Sequence, residues 1–157
     1  MQRPMRRKDR LTGQQEALAL LETGIYGVLS TVDSEGVPYG VPLSFVVINN
    51  SIYFHCAQQG HKMDNLRHQS QVSFCVVGNN EPVYKPGNFT TTYESAIVFG
   101  RAREICNPDE KYDALHQLCK KYLPDFIEHA DADITKSLAR TSVWGIDIES
   151  VSGKRNG

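Results

Sequence analysis

The segment Tyr39-Gly-Val-Pro-Leu-Ser-Phe-Val-Val-Ile48, followed by Asn49-Asn50 and Ser51-Ile-Tyr-Phe-His-Cys56, constrains the fold of this chain more than any other. Tyr39, Val41, Leu43, Phe45 and Val47 alternate with other residues, and a period of two places them on one face of a strand. The asparagine pair tolerates the left-handed backbone that a tight hairpin turn demands, and Ser51–Cys56 returns as the partner strand. Pro42 has no amide to give a neighbour, so at that residue the strand lies at a sheet edge or at a bulge.

Around this hairpin the remaining elements follow from periodicity and punctuation. Thr12-Gly-Gln-Gln15 has the form of a capping box, with Ala17, Leu18, Leu21 and Ile25 at helical spacing behind it and Gly24 as the stop. Ile25–Thr31 reads as a strand ending in the turn Asp33-Ser-Glu-Gly36. Gln71–Gly78 and Thr90–Cys106 read as two more strands, joined by a long proline- and glycine-bearing connection from Asn79 to Phe89, and Gly100 marks a bulge. Asn107-Pro108 begins a helix with the apolar stripe Tyr112, Leu115, Cys119 and Tyr122, which Pro124 ends. Asp125–Arg140 reads as a short helix or turn, Thr141–Ser150 as the last strand, and Gly153–Gly157 as a polar tail. The expectation is one domain over residues 1–157, mainly β, with six antiparallel strands forming a split barrel and two or three helices outside. A barrel that small is filled by its own side chains, so a ligand belongs on its outer face or at a subunit interface.

Composition narrows the function. The net charge of −1 does not suit a general nucleic-acid binder, although residues 1–10, MQRPMRRKDR, form a basic arm. That arm lacks the apolar run of a signal peptide, and no stretch approaches a membrane span, so the expectation is a cytoplasmic protein without nucleic-acid or membrane partners. Cys56, Cys75, Cys106 and Cys119 form no CxxC pair and read as reduced structural thiols.

Chemistry concentrates in His55-Cys-Ala-Gln-Gln-Gly-His-Lys-Met-Asp-Asn-Leu-Arg67. The spacing of His55, His61 and His68 matches neither a helical pair nor an HxH strand pair, and no metal site is expected. No nucleophile elbow, Walker loop or dinucleotide fingerprint is present. A phosphate cradle suits the stretch better: Gly60 allows a sharp turn, Lys62 supplies a charge, His61 a donor, and the following helix start directs its amides at an anion. A solvated basic loop is the competing reading.

The order YGVPLSFV, IYFHCAQQGHKMDNL, VSFCVVG and TTTYESAIVFGRAREI, with the Met-Arg-Arg-Lys start and the final Gly-Lys-Arg, resembles the pyridoxamine 5'-phosphate oxidase-like FMN-binding split barrels over about Met5 to Lys154. Within them the sequence is most similar to the 5-nitroimidazole resistance (Nim) reductase branch. The resemblance implies FMN as cofactor, with Val41, Pro42, Leu43 and Ser44 along the flavin and ribityl chain and His55 and Cys56 flanking it. It implies that Gly60, His61 and Lys62 occupy the phosphate-clamp positions, Lys62 on the phosphate and His61, in place of arginine, near flavin and substrate. Ser95 falls where the oxidases use a glutamine near the flavin ring, a position the family can supply from a second subunit. Trp144 lies in a strand that approaches the cofactor, although a lone tryptophan suits a core equally. No counterpart of the oxidases' C-terminal substrate-binding arginine motif is found, which speaks against vitamin B6 oxidation. The resemblance thus implies a homodimer with flavin at its interface, passing two electrons from reduced flavin to a small electron-poor acceptor such as a nitroaromatic. NADH or NADPH would be the donor and His61 the catalytic residue. The alternative is a flavin- or haem-binding sensor or carrier without turnover.

Overall fold

The structure, a computed structural model, describes residues 3–157. Its strands are β1 (Leu11–Thr12), β2 (Gly27–Val32), β3 (Pro38–Leu43), β4 (Val46–Ile48), β5 (Ser51–Cys56), β6 (Gln71–Lys85), β7 (Asn88–Glu104) and β8 (Ser142–Asn156). Its α-helices are α1 (Gln14–Thr23), α2 (His61–His68), α3 (Pro108–Tyr122) and α4 (Ala130–Ser137). All strand pairings are antiparallel, in the order β3-β2-β6-β7-β8-β5-β4, with β1 added to β8. The expected architecture is present, with eight strands and four α-helices among the described residues in place of six strands and two or three helices.

The extra strands have identifiable causes. The segment Tyr39–Ile48 is not one strand but two, because the chain leaves one edge of the curled sheet at Leu43 and joins the opposite edge at Val46. Residues Ser44 and Phe45 therefore carry the chain across the mouth between the sheet's two edges. Pro42 sits on the terminal strand β3, where the missing amide costs no ladder bond. The β4–β5 hairpin forms at Asn49 (φ 48°) and Asn50 (φ 63°), both in the left-handed region. The other new strand, β1, pairs Thr12 with Gly153. That pairing takes Thr12 out of the capping role expected of it: Gly13 is the N-cap of α1, and its amide donates to Glu16 Oε2 at 2.9 Å.

Two further corrections concern chain ends and connections. Residues Gly153–Asn156, read as a polar tail, complete β8 and pair with β7. The connection Asn79–Phe89 is a two-stranded ribbon, since β6 and β7 stay paired out to Lys85 and Asn88 with a bulge between Val77 and Asn80. At its tip Tyr84 and Phe89 lean on each other with ring centroids 5.1 Å apart, and both are largely exposed. The expected bulge at Gly100 is present. Asn107 caps α3 through its side chain, which accepts from the amides of Asp109 (2.9 Å) and Glu110 (3.1 Å).

Burial divides the sheet's two faces. The barrel interior holds Leu21, Leu29, Phe45, Ile52, Phe54, Met63, Phe74, Val98, Trp144 and Ile146, so helices α1 and α2 both contribute to it. A second core lies between β4, β5, β8 and the pair α3–α4, built on Val46, Tyr53, Leu115, Leu118, Ile134 and Val143. Phe45 belongs to the first core and Tyr122 packs on the second; they meet at the crossover. Tyr122 Oη accepts from the Phe45 amide at 3.0 Å and lies within donating distance of the Ile25 carbonyl at 2.7 Å and the Phe45 carbonyl at 3.0 Å. Lys121 Nζ donates to the same Phe45 carbonyl at 3.0 Å and stands 4.0 Å from the Phe45 ring centroid. Burial lowers the pKa of that lysine.

Replacing Tyr122 with phenylalanine should therefore destabilise the fold by about 1–3 kcal/mol, the cost of leaving a part-buried backbone amide unpaired. A urea midpoint equal to that of the parent protein would show that the crossover does not need the hydroxyl.

Candidate functional site

The candidate site assembles where α2 begins, between the end of β5 and the edge strand β3. Gly60, the N-cap residue of α2, has φ 137°, a conformation that L side chains rarely adopt, and a Cβ placed there would meet nothing within 4 Å. Backbone geometry, not crowding, selects glycine here, and the space beside it is open. The amide of Asp64 bonds to the Gly60 carbonyl at 3.1 Å, leaving the amides of His61, Lys62 and Met63 outside the helical ladder. No side chain caps them. Asp64 also stands in this first turn.

Lys62 makes none of the ion pairs present among the described residues. Its Nζ lies 5.6 Å from the ring centroid of buried Phe54, so the stem is anchored while the charge stays available. The same charge reaches back to β5. His55 stays in contact with solvent, yet desolvation first and then Lys62 lower its pKa from the ordinary histidine value. At neighbouring Cys56, burial is the larger influence and raises the thiol pKa, with Lys62 acting in the opposite sense. Cys56 Sγ lies 3.3 Å from Met63 Sδ, which joins the end of β5 to α2.

On the other side, Tyr39 and His61 stack with ring centroids 4.1 Å apart and an interplanar angle of 29°. The turn between β2 and β3 brings Asp33 near: its Oδ1 accepts from the amides of Glu35 and Val37, each at 2.9 Å. The bond from Val37, other backbone bonds and the charge of His61 hold its pKa low. Along β3, Val41 and Leu43 pack against the barrel core while Pro42 and Ser44 are exposed. Among the described strands β3 pairs only with β2, so its other backbone side joins no strand.

The structure thus gathers Val41, Pro42, Leu43, Ser44, His55, Cys56, Gly60, His61 and Lys62 around one region formed by β3, the end of β5 and the start of α2. It places the two remaining candidates elsewhere in the chain. Ser95 opposes Val77 and Lys154 on the face of the sheet directed away from the core, next to exposed Ile97 and Phe99. Trp144 is 4 % exposed within the barrel core, and its Nε1 has no hydrogen-bond partner. Tyr39 stands in the Gly36-Val-Pro-Tyr-Gly-Val-Pro-Leu-Ser44 motif that carries the family resemblance, but it, Thr31, Asp33 and Asn65 were expected to have no part in the site; its place in that motif was the available signal. Among the described residues no three histidine, cysteine, aspartate or glutamate side chains gather as a metal site. All four cysteines are free. No helix among the described residues is long and apolar enough to cross a membrane.

A curled antiparallel sheet closed by an edge-to-edge crossover, with helices over its openings, defines a split β-barrel. The pyridoxamine 5'-phosphate oxidase family model matches residues 13–155, and the chain belongs to that family, whose members bind flavin. Among solved structures, a protein provisionally described as a 5-nitroimidazole antibiotic resistance protein from Bacteroides thetaiotaomicron superposes with a TM-score of 0.80 at 23 % identity, over 92 % of this chain and 85 % of that one. The flavocytochrome Anf3 from Azotobacter vinelandii gives 0.79 at 20 % identity, over 98 % of this chain and 72 % of that one. An FAD- and haem-binding protein from Mycobacterium smegmatis gives 0.77 at 21 % identity, over 92 % and 72 %. No match was found among curated protein sequences.

Because His55 has a lower pKa folded than unfolded, its neutral form contributes stability that is full above the unfolded value near ~6.5 and is lost as pH falls toward the folded value. Replacing His55 with asparagine should flatten the stability profile between about pH 7 and pH 5. Identical acid limbs for parent and variant in thermal melts would contradict this assignment.

Proposed function

We propose that this protein is an FMN-dependent reductase of electron-poor small molecules, working as a homodimer. The observation that carries the reading is the start of α2: free amides at His61, Lys62 and Met63, an open space at Gly60 and an unpaired Lys62 charge. Together these suit one terminal phosphate, because helix-start amides and a lysine both favour an anion. The adjoining edge strand, with backbone from Val41 to Ser44 that joins no strand on one side, suits the polar chain and ring that follow the phosphate in FMN. When bound, the flavin supplies two-electron transfer to the acceptor. Lys62 holds the phosphate, Gly60 gives the backbone its turn, and His55 and Cys56 border the cofactor at the end of β5. His61 meets the acceptor, where an imidazole can donate a hydrogen bond or a proton to the oxygen that gains charge.

The dimer is supported by the outer face of the sheet. Along β7, Phe89, Thr91, Tyr93, Ser95, Ile97 and Phe99 follow one another at a period of two on the face opposite buried Ala96 and Val98. With Val77 of β6 they leave apolar surface uncovered, Val77 at 46 % and Ile97 and Phe99 each at 40 % exposure. Ser95 is on this face, so in a dimer it approaches the other protomer and not its own α2. Nitro compounds as acceptors are favoured by the similarity to the Bacteroides protein, and NADH or NADPH is the donor class to test first. A cytoplasmic setting agrees with four free cysteines. A second reading, a flavin or haem carrier without turnover, is favoured by the similarity to the two haem-associated structures.

The purified protein's absorption spectrum separates these readings: flavin bands near ~450 nm are expected, whereas a Soret band near ~400 nm would favour the haem carrier. Lys62→Ala should weaken FMN binding at least tenfold, the loss of a charge-assisted contact worth roughly 1.5–3 kcal/mol. Equal affinity in parent and variant would remove Lys62 from the phosphate.

A further inference from the structure

We propose that Tyr39 is the positioning residue of His61, and that the stacked pair selects planar acceptors. The inference rests on the reading of His61 as the acceptor-side residue and goes beyond it, by naming what fixes that side chain and which ligand shape it favours.

His61 is the first residue of α2, follows a glycine of unusual conformation and is itself exposed. A side chain at such a place has little of its own chain to hold it. Among the described residues its only stacked aromatic neighbour is Tyr39, half-buried on β3, at 4.1 Å between centroids. That separation is within the range of aromatic pairing, and the stack covers one face of the imidazole. A ligand can then meet His61 only at its other face or at its ring nitrogens.

The stack is tied to the interior behind it. Asn65, one turn along α2 and 2 % exposed, donates through Nδ2 to Thr31 Oγ1 at 3.0 Å, and Thr31 is 4 % exposed. Thr31 is the register partner of Tyr39, and its hydroxyl makes a longer contact of 3.4 Å with the Tyr39 carbonyl. Buried polar groups are costly when unpaired, so this contact defines a single seating of α2 against β2 and β3. Two connections therefore seat α2 on the β2–β3 pair, a buried one to β2 through Asn65 and Thr31 and an exposed one to β3 through His61 and Tyr39. Asp33 stands at the adjacent turn, close enough that the His61 charge affects its titration.

The consequence for ligands is geometric. Tyr39 covers one face of an otherwise exposed imidazole, and a flat, electron-poor ring is the shape that stacks on the other. A bulky saturated acceptor gains nothing from the same surface.

The test compares Tyr39→Ala, Tyr39→Phe and His61→Ala in the flavin-loaded protein, with the reduction of a planar nitroheterocycle as the activity. Tyr39→Ala should lower kcat about tenfold with FMN affinity within about twofold of the parent. Tyr39→Phe, which keeps the ring, should stay within about threefold of it. The double variant Tyr39→Ala/His61→Ala should be no slower than His61→Ala alone, because residues acting as a unit are non-additive. An independent readout is the NMR resonance of the His61 ring protons in the flavin-free protein: upfield-shifted by ring current in the parent and Tyr39→Phe, and relaxed in Tyr39→Ala. Full turnover in Tyr39→Ala, additive losses in the double variant, equal losses in Tyr39→Phe and Tyr39→Ala, or an unshifted parent resonance would each overturn the proposal. Full turnover in His61→Ala would instead overturn the underlying assignment of His61.

Discussion

The passage of the chain through Phe45 is the constraint on which the rest of this structure depends. A curled sheet with terminal strands β3 and β4 has two free edges, and here those strands are consecutive in the chain, joined through Ser44 and Phe45. Backbone groups at such a crossing have no ladder to join, and leaving them unpaired would be costly where they are buried. The end of α3 supplies what is missing: Tyr122 serves the amide and carbonyl of Phe45, and Lys121 serves the carbonyl again. The Phe45 ring meanwhile is fully buried against Phe74, 4.9 Å between centroids and edge-on. One residue thus closes the barrel, joins the two cores and fixes where the edge strand β3 ends.

That closure explains why the candidate site lies outside the barrel. The interior is filled by Phe45, Phe54, Phe74, Met63 and Trp144, and such a packed core has no room for a large ligand. What the fold leaves open is the outside of β3, whose second backbone side is unpaired, together with the uncapped start of α2. The Asn65–Thr31 hydrogen bond joins α2 to β2, the partner of β3, and the contact between Cys56 and Met63 joins α2 to β5. A site made from an edge strand and a helix start uses groups that secondary structure cannot satisfy by itself, and these groups suit a polar, anionic ligand.

Much of the local architecture was legible because it is governed by short-range rules. The turn at Asn49-Asn50, the cap at Asn107, the bulge at Gly100 and the edge position of Pro42 each follow from what one or two residues permit. The errors share one origin, which is competition from distant partners. Thr12 has the chemistry of a helix cap, but Gly153 takes it as a strand partner. Asn79–Phe89 has the composition of a loop, but β6 and β7 continue pairing through it because each strand lends the other its hydrogen bonds. Tyr39 to Val47 alternates as one strand would, and nothing in that alternation shows that the segment must cross between two edges.

By itself, the sequence determined the antiparallel class, the start of α3 at its Asn107 cap, the turn at the left-handed pair Asn49-Asn50, and the concentration of chemistry between His55 and Arg67. These depend on side-chain periodicity and backbone preference, which act within a few residues. Only the tertiary structure decided that His61 meets Tyr39, that Ser95 turns to the opposite face of the sheet from Lys62, and that Trp144 belongs to the core. The physical reason is the pleat and the curl: a shift of one residue in register exchanges the two faces of every strand, and register is fixed by packing across the whole barrel.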